Sequence, residues 1–313
     1  MKVLITGITG MIGTHFAREC RSRGWETVGI ARNSADSRLA AIPDPSVIRC
    51  DVLDQEALFG VVSKVRPDII AHFAAQAFNG ASWQFEESTY HTNVFGTLNL
   101  LRAARTVCPG ARVLLACSSA EYGDVTPEEC PLVEERPLRP VSPYGASKVA
   151  AECLGYQYFS NYGLGVYLPR LFIHVGTGHP PATALQNFAR QLALISRRVI
   201  DPVLRVGCLD TARDFVDVRD GVRAMLTLLE YGKPGVPVNI CTGVAHRIAD
   251  CLDILIDISG LKVEVIPDAA LLRPSDEVLL LGDSSKLRAL GWRPECSFRR
   301  TLEGVYADWL ARI

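Results

Sequence analysis

A chain of 313 residues, 48% hydrophobic and 21% charged, has material for one large domain or two modest ones with a sizeable core. Its formal net charge of -1 excludes the broad basic footprint of a nucleic-acid or anionic-membrane binder, so any phosphate binding has to be local. Ten cysteines, no two nearer than the nine positions separating Cys108 from Cys117, give no zinc spacing and predict reduced, mostly buried thiols in a cytoplasmic protein. Met1-Lys2 leads directly into a strand rather than a signal peptide, and no apolar run approaches membrane-spanning length.

Lys2 to Thr6 is an apolar strand that breaks into Gly7-Ile8-Thr9-Gly10-Met11-Ile12-Gly13, followed by a helix from Thr14 to Arg23. A strand, glycine turn and helix in that order bring free N–H groups and the positive end of a helix dipole toward a pyrophosphate. The spacing is Gly-x-x-Gly-x-x-Gly, so an ordinary tight turn fits as well as a dinucleotide site. Glu26 to Ala31 forms the second strand and ends in Ala31-Arg32-Asn33-Ser34. With no carboxylate there to hold the ribose 2′-OH of NAD(H), and Arg32 placed for a 2′-phosphate, NADP(H) is favoured; a plain surface cation is the other reading of Arg32.

Val47 to Cys50 is a third strand, and Asp51-Val52 at its end is placed to meet an adenine. A helix over Glu56 to Val65 leads to a buried parallel strand, Asp68 to Phe73, which runs into Ala74-Ala75-Gln76, small enough for a ligand to pass close to the backbone. A long helix from Thr89 to Val107 and a strand from Arg112 to Cys117 follow. This alternation predicts an α/β fold built on a doubly wound parallel Rossmann sheet. Ligands of such sheets lie beyond the carboxyl ends of the strands. Ser118 and Ser119 stand there; either hydroxyl could bond a carbonyl oxygen, and both also suit a capped turn.

After a Pro- and Glu-rich loop, Ser142-Pro143 opens a helix carrying Tyr144 and Lys148 on one face, four residues apart. A fixed ammonium near a phenol favours the phenolate and makes it a workable acid or base for an alcohol–ketone interconversion; a chance surface pair is the alternative. Gly165 to Leu168 reads as a strand, Pro169 to Pro181 as turns, and Thr183 to Ser196 as an amphipathic helix. Ala212 to Asp217 leads into a helix ending at Glu230, and Val236 to Cys241 is the last strand of the sheet. His174 and His179 lack a third ligand and read as loop residues, so no metal is expected. Residues 1–168 and 215–241 are expected to form the cofactor domain, and 169–214 and 242–313 a smaller α/β substrate-binding lobe.

The ordered set Gly7, Gly10, Gly13, Ser118/Ser119, Tyr144 and Lys148 resembles the extended short-chain dehydrogenases/reductases, Rossmann enzymes acting mostly on nucleotide-linked sugars. Ala74 to Trp83, Arg170 to His174, Gly207 to Asp210 with Arg213 to Phe215, and Arg273 to Asp276 with Leu281 to Asp283 resemble its GDP-mannose branch of dehydratases and 4-keto-sugar reductases. The resemblance implies that Tyr144 is the acid/base and that Lys148 lowers its pKa and holds the nicotinamide ribose. It also implies cofactor contacts from Met11, Ile12, Ala74, Ala75, Gln76 and Leu171, and substrate contacts from Ser82, Arg213 and Arg273, the two arginines gripping the diphosphate. Ile173 and Cys208 stand where the family carries asparagines.

Related dehydratases are expected to carry a glutamate two residues after the catalytic hydroxyl. Counting from Ser118 that position is Ala120, which favours a reductase; counting from Ser119 it is Glu121, which keeps a dehydratase open, with a 4-epimerase behind it. A catalytically idle NADP-sensing scaffold is the non-enzyme alternative. The expected partners are a nucleotide sugar and a second copy of the chain in a homodimer, with no nucleic acid and no membrane.

Overall fold

The structure, a computed structural model, describes residues 1–32, 46–271 and 278–313. In chain order β1 (Lys2–Thr6), α1 (Met11–Ser22), β2 (Glu26–Ala31), β3 (Ser46–Arg49), α2 (Gln55–Val65) and β4 (Ile69–His72) make the first half of a sheet. Two short helices follow, α3 (Asn79–Ser82) and α4 (Glu86–Tyr90), then one π-helical turn over His91–Phe95 and α5 (Gly96–Val107). β5 (Arg112–Leu115), β6 (Cys117–Ser118), α6 (Pro143–Tyr162) and β7 (Gly165–Leu171) come next. The later elements are β8 (Ile173–Val175), α7 (Ala184–Ser196), β9 (Val203–Val206), β10 (Ala212–Asp217), α8 (Val218–Tyr231), β11 (Pro237–Ile240), β12 (Ala245–Arg247), α9 (Ile248–Ser259), β13 (Glu264–Pro267), β14 (Leu279–Leu280), α10 (Ser285–Ala289) and α11 (Phe298–Arg312).

The large sheet is parallel throughout in the order β11-β7-β5-β4-β1-β2-β3, with β6 continuing beside β7. Its strands are apolar on both faces because helices cover both. Val3 and Ile5 pack with Phe16 of α1 and Met225 of α8, whereas Leu4 between them packs with Leu58 of α2 and Leu100 of α5. Each such side chain, fully buried, contributes about 2 kcal/mol relative to exposure. β10 stands outside this sheet, between β12 and β14, and also pairs with β8; β9 and β13 form a separate pair. A third core of α7, α9 and α11 covers that end of the molecule.

Five expectations are corrected. The strand read as ending at Leu168 runs on to Leu171, and part of the segment read as turns is β8. Pro169 is tolerated there because the register places it opposite Ala116, where β5 gives way to β6 and Ala116 N donates to His72 O instead. The strand read as Arg112 to Cys117 is accordingly broken at Ala116, and the long helix from Thr89 carries the π turn. Ala212 to Asp217, read only as a lead-in to a helix, is the central strand of the second sheet.

Candidate active site

The glycine turn fits a dinucleotide pyrophosphate. Gly7 has φ +68°, and a Cβ on it would lie 2.7 Å from Ala74 N; a Cβ on Gly13 would lie 2.3 Å from Gly7 O. Only glycine lets the first turn of α1 close onto the end of β1. Gly10 caps α1 without a side-chain hydrogen bond, and no acidic residue stands in the first turn, so its N–H groups are left for an anion. Met11 is buried and Ile12 half-buried in that turn. Arg32 is exposed at the bend directly after β2. Asp51 accepts from Leu53 N at 3.0 Å, and Val52 is buried with its carbonyl held by Asn99 Nδ2 at 3.1 Å. Asn33, Ser34 and Arg273 lie outside the described residues.

The catalytic candidates come together on β6 and α6. Ser142 Oγ accepts from Gly145 N at 3.1 Å and Pro143 fills the first helical position, which starts α6 one residue before Tyr144. Lys148 is buried, its ammonium donating to Ala116 O at 2.8 Å and lying 5.8 Å from the centre of the Tyr144 ring. Ser118 caps a 3₁₀ turn over Ser119–Glu121, its hydroxyl accepting from Ala120 N at 3.2 Å. Ser119 is buried beside it. The turn and the helix are in direct contact, because a Cβ on Gly145 would lie 2.5 Å from Ala120 O. Leu171 is paired with Ser118 across β6 and β7.

Of the substrate candidates, Ser82 is fully buried and donates to Asn79 O at 2.6 Å within α3, and Arg213 is buried with one N–H on Ala212 O at 2.9 Å. Glu121, which ends the turn, is fully buried, and its Oε1 accepts Ser118 N–H at 2.7 Å. Its other oxygen lies 3.6 Å from Arg170 Nε, and Arg170 in turn makes a two-point bond to Glu152 at 2.6 and 2.8 Å.

A chain of hydrogen bonds ties the cofactor turn to the catalytic helix. Thr97 Oγ1 donates to Asn93 O at 2.6 Å, so it accepts from His72 Nε2 at 3.1 Å; His72 Nδ1 then accepts from Thr6 Oγ1 at 2.7 Å, and Thr6 Oγ1 accepts from Ala74 N at 3.1 Å. Asn93 bonds Gln76 through both its amide atoms and donates to Ser147 Oγ at 2.8 Å, which donates to Tyr144 O. None of His72, Thr6, Asn93 and Ser147 was singled out by sequence reasoning. The available signals were a histidine inside a buried strand and a serine between Tyr144 and Lys148.

Burial, and then the charge of Lys148, pushes the His72 pKa down to about 3. The folded protein therefore keeps this ring neutral while the unfolded chain takes up a proton below about pH 6.5, so stability is lost as pH falls from 6.5 toward 3. At pH 5 the loss from His72 is about 2 kcal/mol. Denaturant melts of the protein and of His72→Gln between pH 7 and 5 should show that much less acid destabilisation in the variant; parallel slopes would contradict the neutral assignment.

A hollow of about 670 Å³ bordered by Arg66, Asp68 and Arg112 lies by the amino ends of β4 and β5, the wrong end of the sheet for a ligand. Among known proteins, the chain is 30% identical to GDP-6-deoxy-D-mannose reductase of Pseudomonas aeruginosa across 100% of its own length and 98% of the relative's. It is 29% identical to GDP-mannose 4,6-dehydratase of Sinorhizobium fredii, covering 95% and 93% of the two chains. The solved structure of RMD from Pseudomonas aeruginosa complexed with NADPH superposes with a TM-score of 0.89 at 29% identity over the whole of both chains. UDP-glucose 4-epimerase of Thermus thermophilus in complex with NAD does so at 0.88 and 29%, again over both whole chains. The family model for GDP-mannose 4,6 dehydratase matches residues 4–305, and the chain belongs to that family of nucleotide-sugar-modifying, NAD(P)-dependent extended short-chain dehydrogenases/reductases.

Proposed function

We propose that the protein reduces a nucleotide-linked 4-keto-6-deoxy sugar with NADPH, in the manner of a GDP-4-keto-6-deoxymannose reductase. The observation that carries this reading is the side chain at the turn beside Tyr144. Ala120 presents a methyl group there, and Glu121 is folded into the core against Ser118 N–H and Arg170. Elimination of water across C5 and C6, the middle step of a dehydratase, requires an acid and a base near that end of the sugar; Ala120 supplies neither. Reduction needs less. The nicotinamide, when bound, supplies the hydride. Tyr144 gives its phenolic proton to the carbonyl oxygen, and Ser118 or Ser119 fixes that oxygen with a hydrogen bond. Lys148 spends one N–H on Ala116 O, which anchors the ammonium and leaves its other protons for the nicotinamide ribose.

The alternatives are a 4,6-dehydratase or 4-epimerase using the same dyad, and an NADP-sensing scaffold, which would bind the cofactor without oxidising it. Mixing the protein with NADPH and GDP-4-keto-6-deoxymannose, then identifying the sugar, separates them: a 6-deoxyhexose and NADP are expected, and unconsumed NADPH with the cofactor bound would overturn the reading.

The preference for NADPH belongs to the same proposal. Arg32 is exposed after β2, and no carboxylate occurs among residues 31–34. Arg32→Ala should raise KM for NADPH about tenfold, the loss of one charge-assisted contact, and leave NADH nearly unchanged. Equal losses with both cofactors in steady-state kinetics would reject the assignment.

We also place the cofactor on residues 1–168 and 215–241 and the sugar nucleotide on 169–214 and 242–313, with both inner bounds moved three residues on, since β7 keeps Pro169–Leu171 in the large sheet and β10 holds Phe215–Asp217 outside it; β8, β9, β12, β13 and β14 lying outside the large sheet support the division. A homodimer is supported by exposed Phe95 at the end of the π turn and exposed Tyr156 and Tyr162 on α6, and a reducing, cytoplasmic location by ten unpaired thiols. No described helix is long and apolar enough to cross a membrane.

A further inference from the structure

We propose that Glu121 is a carboxylic acid that shares its proton with the Glu152 carboxylate, and that in this form it is a positioning residue for Ser118. Glu152 is the charged member, since both its oxygens accept from the Arg170 guanidinium, at 2.6 and 2.8 Å. Glu121 Oε1 is occupied by Ser118 N–H at 2.7 Å, and Oε2 is sealed from solvent with no donor aimed at it. One oxygen of each glutamate and Cys117 Sγ lie within 4.8 Å of one another, all three buried. Two carboxyl groups this close in a dry core repel each other if both are ionised, a proton between them removes the repulsion, and the free oxygen that can hold it is Glu121 Oε2.

The charges around the pair agree. Facing it are Cys117 from β6, Glu152 and Lys148 from α6, and Arg170 from β7. Arg170 is already neutralised by Glu152, and Lys148 is turned to Ala116 O. A second full negative charge would therefore be buried without a partner of its own. Burial, then the charge of Glu152, hold the Glu121 carboxyl well above the usual carboxylate range. Cys117, Glu121 and Glu152 have the spacing of a ligand set, but the guanidinium stands at that position and disfavours a cation.

In the neutral form Glu121 closes a two-way cap. Its carbonyl oxygen takes Ser118 N–H while Ser118 Oγ takes Ala120 N–H, which fixes the backbone that carries both hydroxyl candidates. The positioning role rests on the reading of that turn as catalytic; the proton between the glutamates does not.

Glutamine reproduces a protonated glutamate, with a carbonyl for Ser118 N–H and an N–H for Glu152. Glu121→Gln should therefore melt close to the parent and keep kcat with NADPH and GDP-4-keto-6-deoxymannose within about threefold. Glu121→Ala should lower kcat about tenfold or more through a displaced turn, with KM for NADPH unchanged. The infrared difference spectrum of the parent minus Glu121→Gln at pH 7 should show the carbonyl band of a protonated acid. A carboxylate band, or a Gln variant as unstable as the Ala variant, overturns the shared proton. An Ala variant with undiminished kcat overturns the positioning role. Failure of the parent to turn over this substrate would count against the reductase reading, and the infrared and melting results would still decide the proton.

Discussion

Replacing Tyr144 with phenylalanine is expected to lower kcat about 100-fold or more, the scale set by losing a positioned proton donor. Phenylalanine keeps the ring and removes only the hydroxyl. The ring is half-buried at the start of α6, and no described residue uses the hydroxyl as a structural partner, so the thermal stability of the variant should match the parent's. KM for NADPH should also hold, because the cofactor turn is tied to this helix through Asn93 and Ser147, which reaches the Tyr144 carbonyl and not its phenol. Single-turnover NADPH oxidation measured beside circular dichroism separates chemistry from folding. A Tyr144→Phe enzyme with most of its activity would make the Tyr144–Lys148 pair structural.

Arg170→Leu is expected to cost about 3–5 kcal/mol of stability, on the order of 10 °C in Tm. Arg170 is buried and bonds through four N–H groups, two on Glu152 and two from one nitrogen on Tyr122 OH at 3.2 Å and Glu134 O at 2.9 Å, with its central carbon 5.1 Å from the Tyr122 ring centre. Tyr122 passes the link on to Asn239 Oδ1 at 2.6 Å, and Asn239 Nδ2 holds Leu132 O, so the guanidinium also fastens the loop between β6 and α6 to β11. Removing it strands the Glu152 charge in a low-dielectric core. The pair itself is a different matter, because exchanging a buried ion pair for apolar side chains of similar volume is often neutral. Calorimetry should therefore find Arg170→Leu/Glu152→Leu more stable than Arg170→Leu alone; a double variant that is worse would mean packing, not charge, sets the cost.

The first half of the sheet was legible because its signals are local. Lys2 to Thr6 is continuously apolar, and Gly7 and Gly13 mark a turn that no other residue can make. Ser142, Pro143 and the Tyr144–Lys148 spacing likewise announce the start of α6. The second sheet was not legible, since β8, β10 and β14 are two to six residues long and exist through pairing with each other, which no local pattern records. Pro169 looked like the end of a strand because its lack of an N–H was visible while the break opposite it at Ala116 was not. The π turn over His91–Phe95 keeps the helical apolar period on either side, so its product, an inward-facing Asn93, could be found only in three dimensions. Glu121 shows the limit most plainly: counting residues leaves it a candidate catalytic acid, and only the folded chain shows it fully buried with Oε1 on Ser118 N–H.

Supplying GDP-mannose with catalytic NADP and no reductant distinguishes a ketone reductase that consumes NADPH from a dehydratase that recycles its cofactor. If the reductase reading holds, GDP-mannose is recovered unchanged, whereas GDP-4-keto-6-deoxymannose with NADPH is reduced with one cofactor oxidised per sugar. Conversion of GDP-mannose to the 4-keto-6-deoxy sugar without added reductant would contradict it.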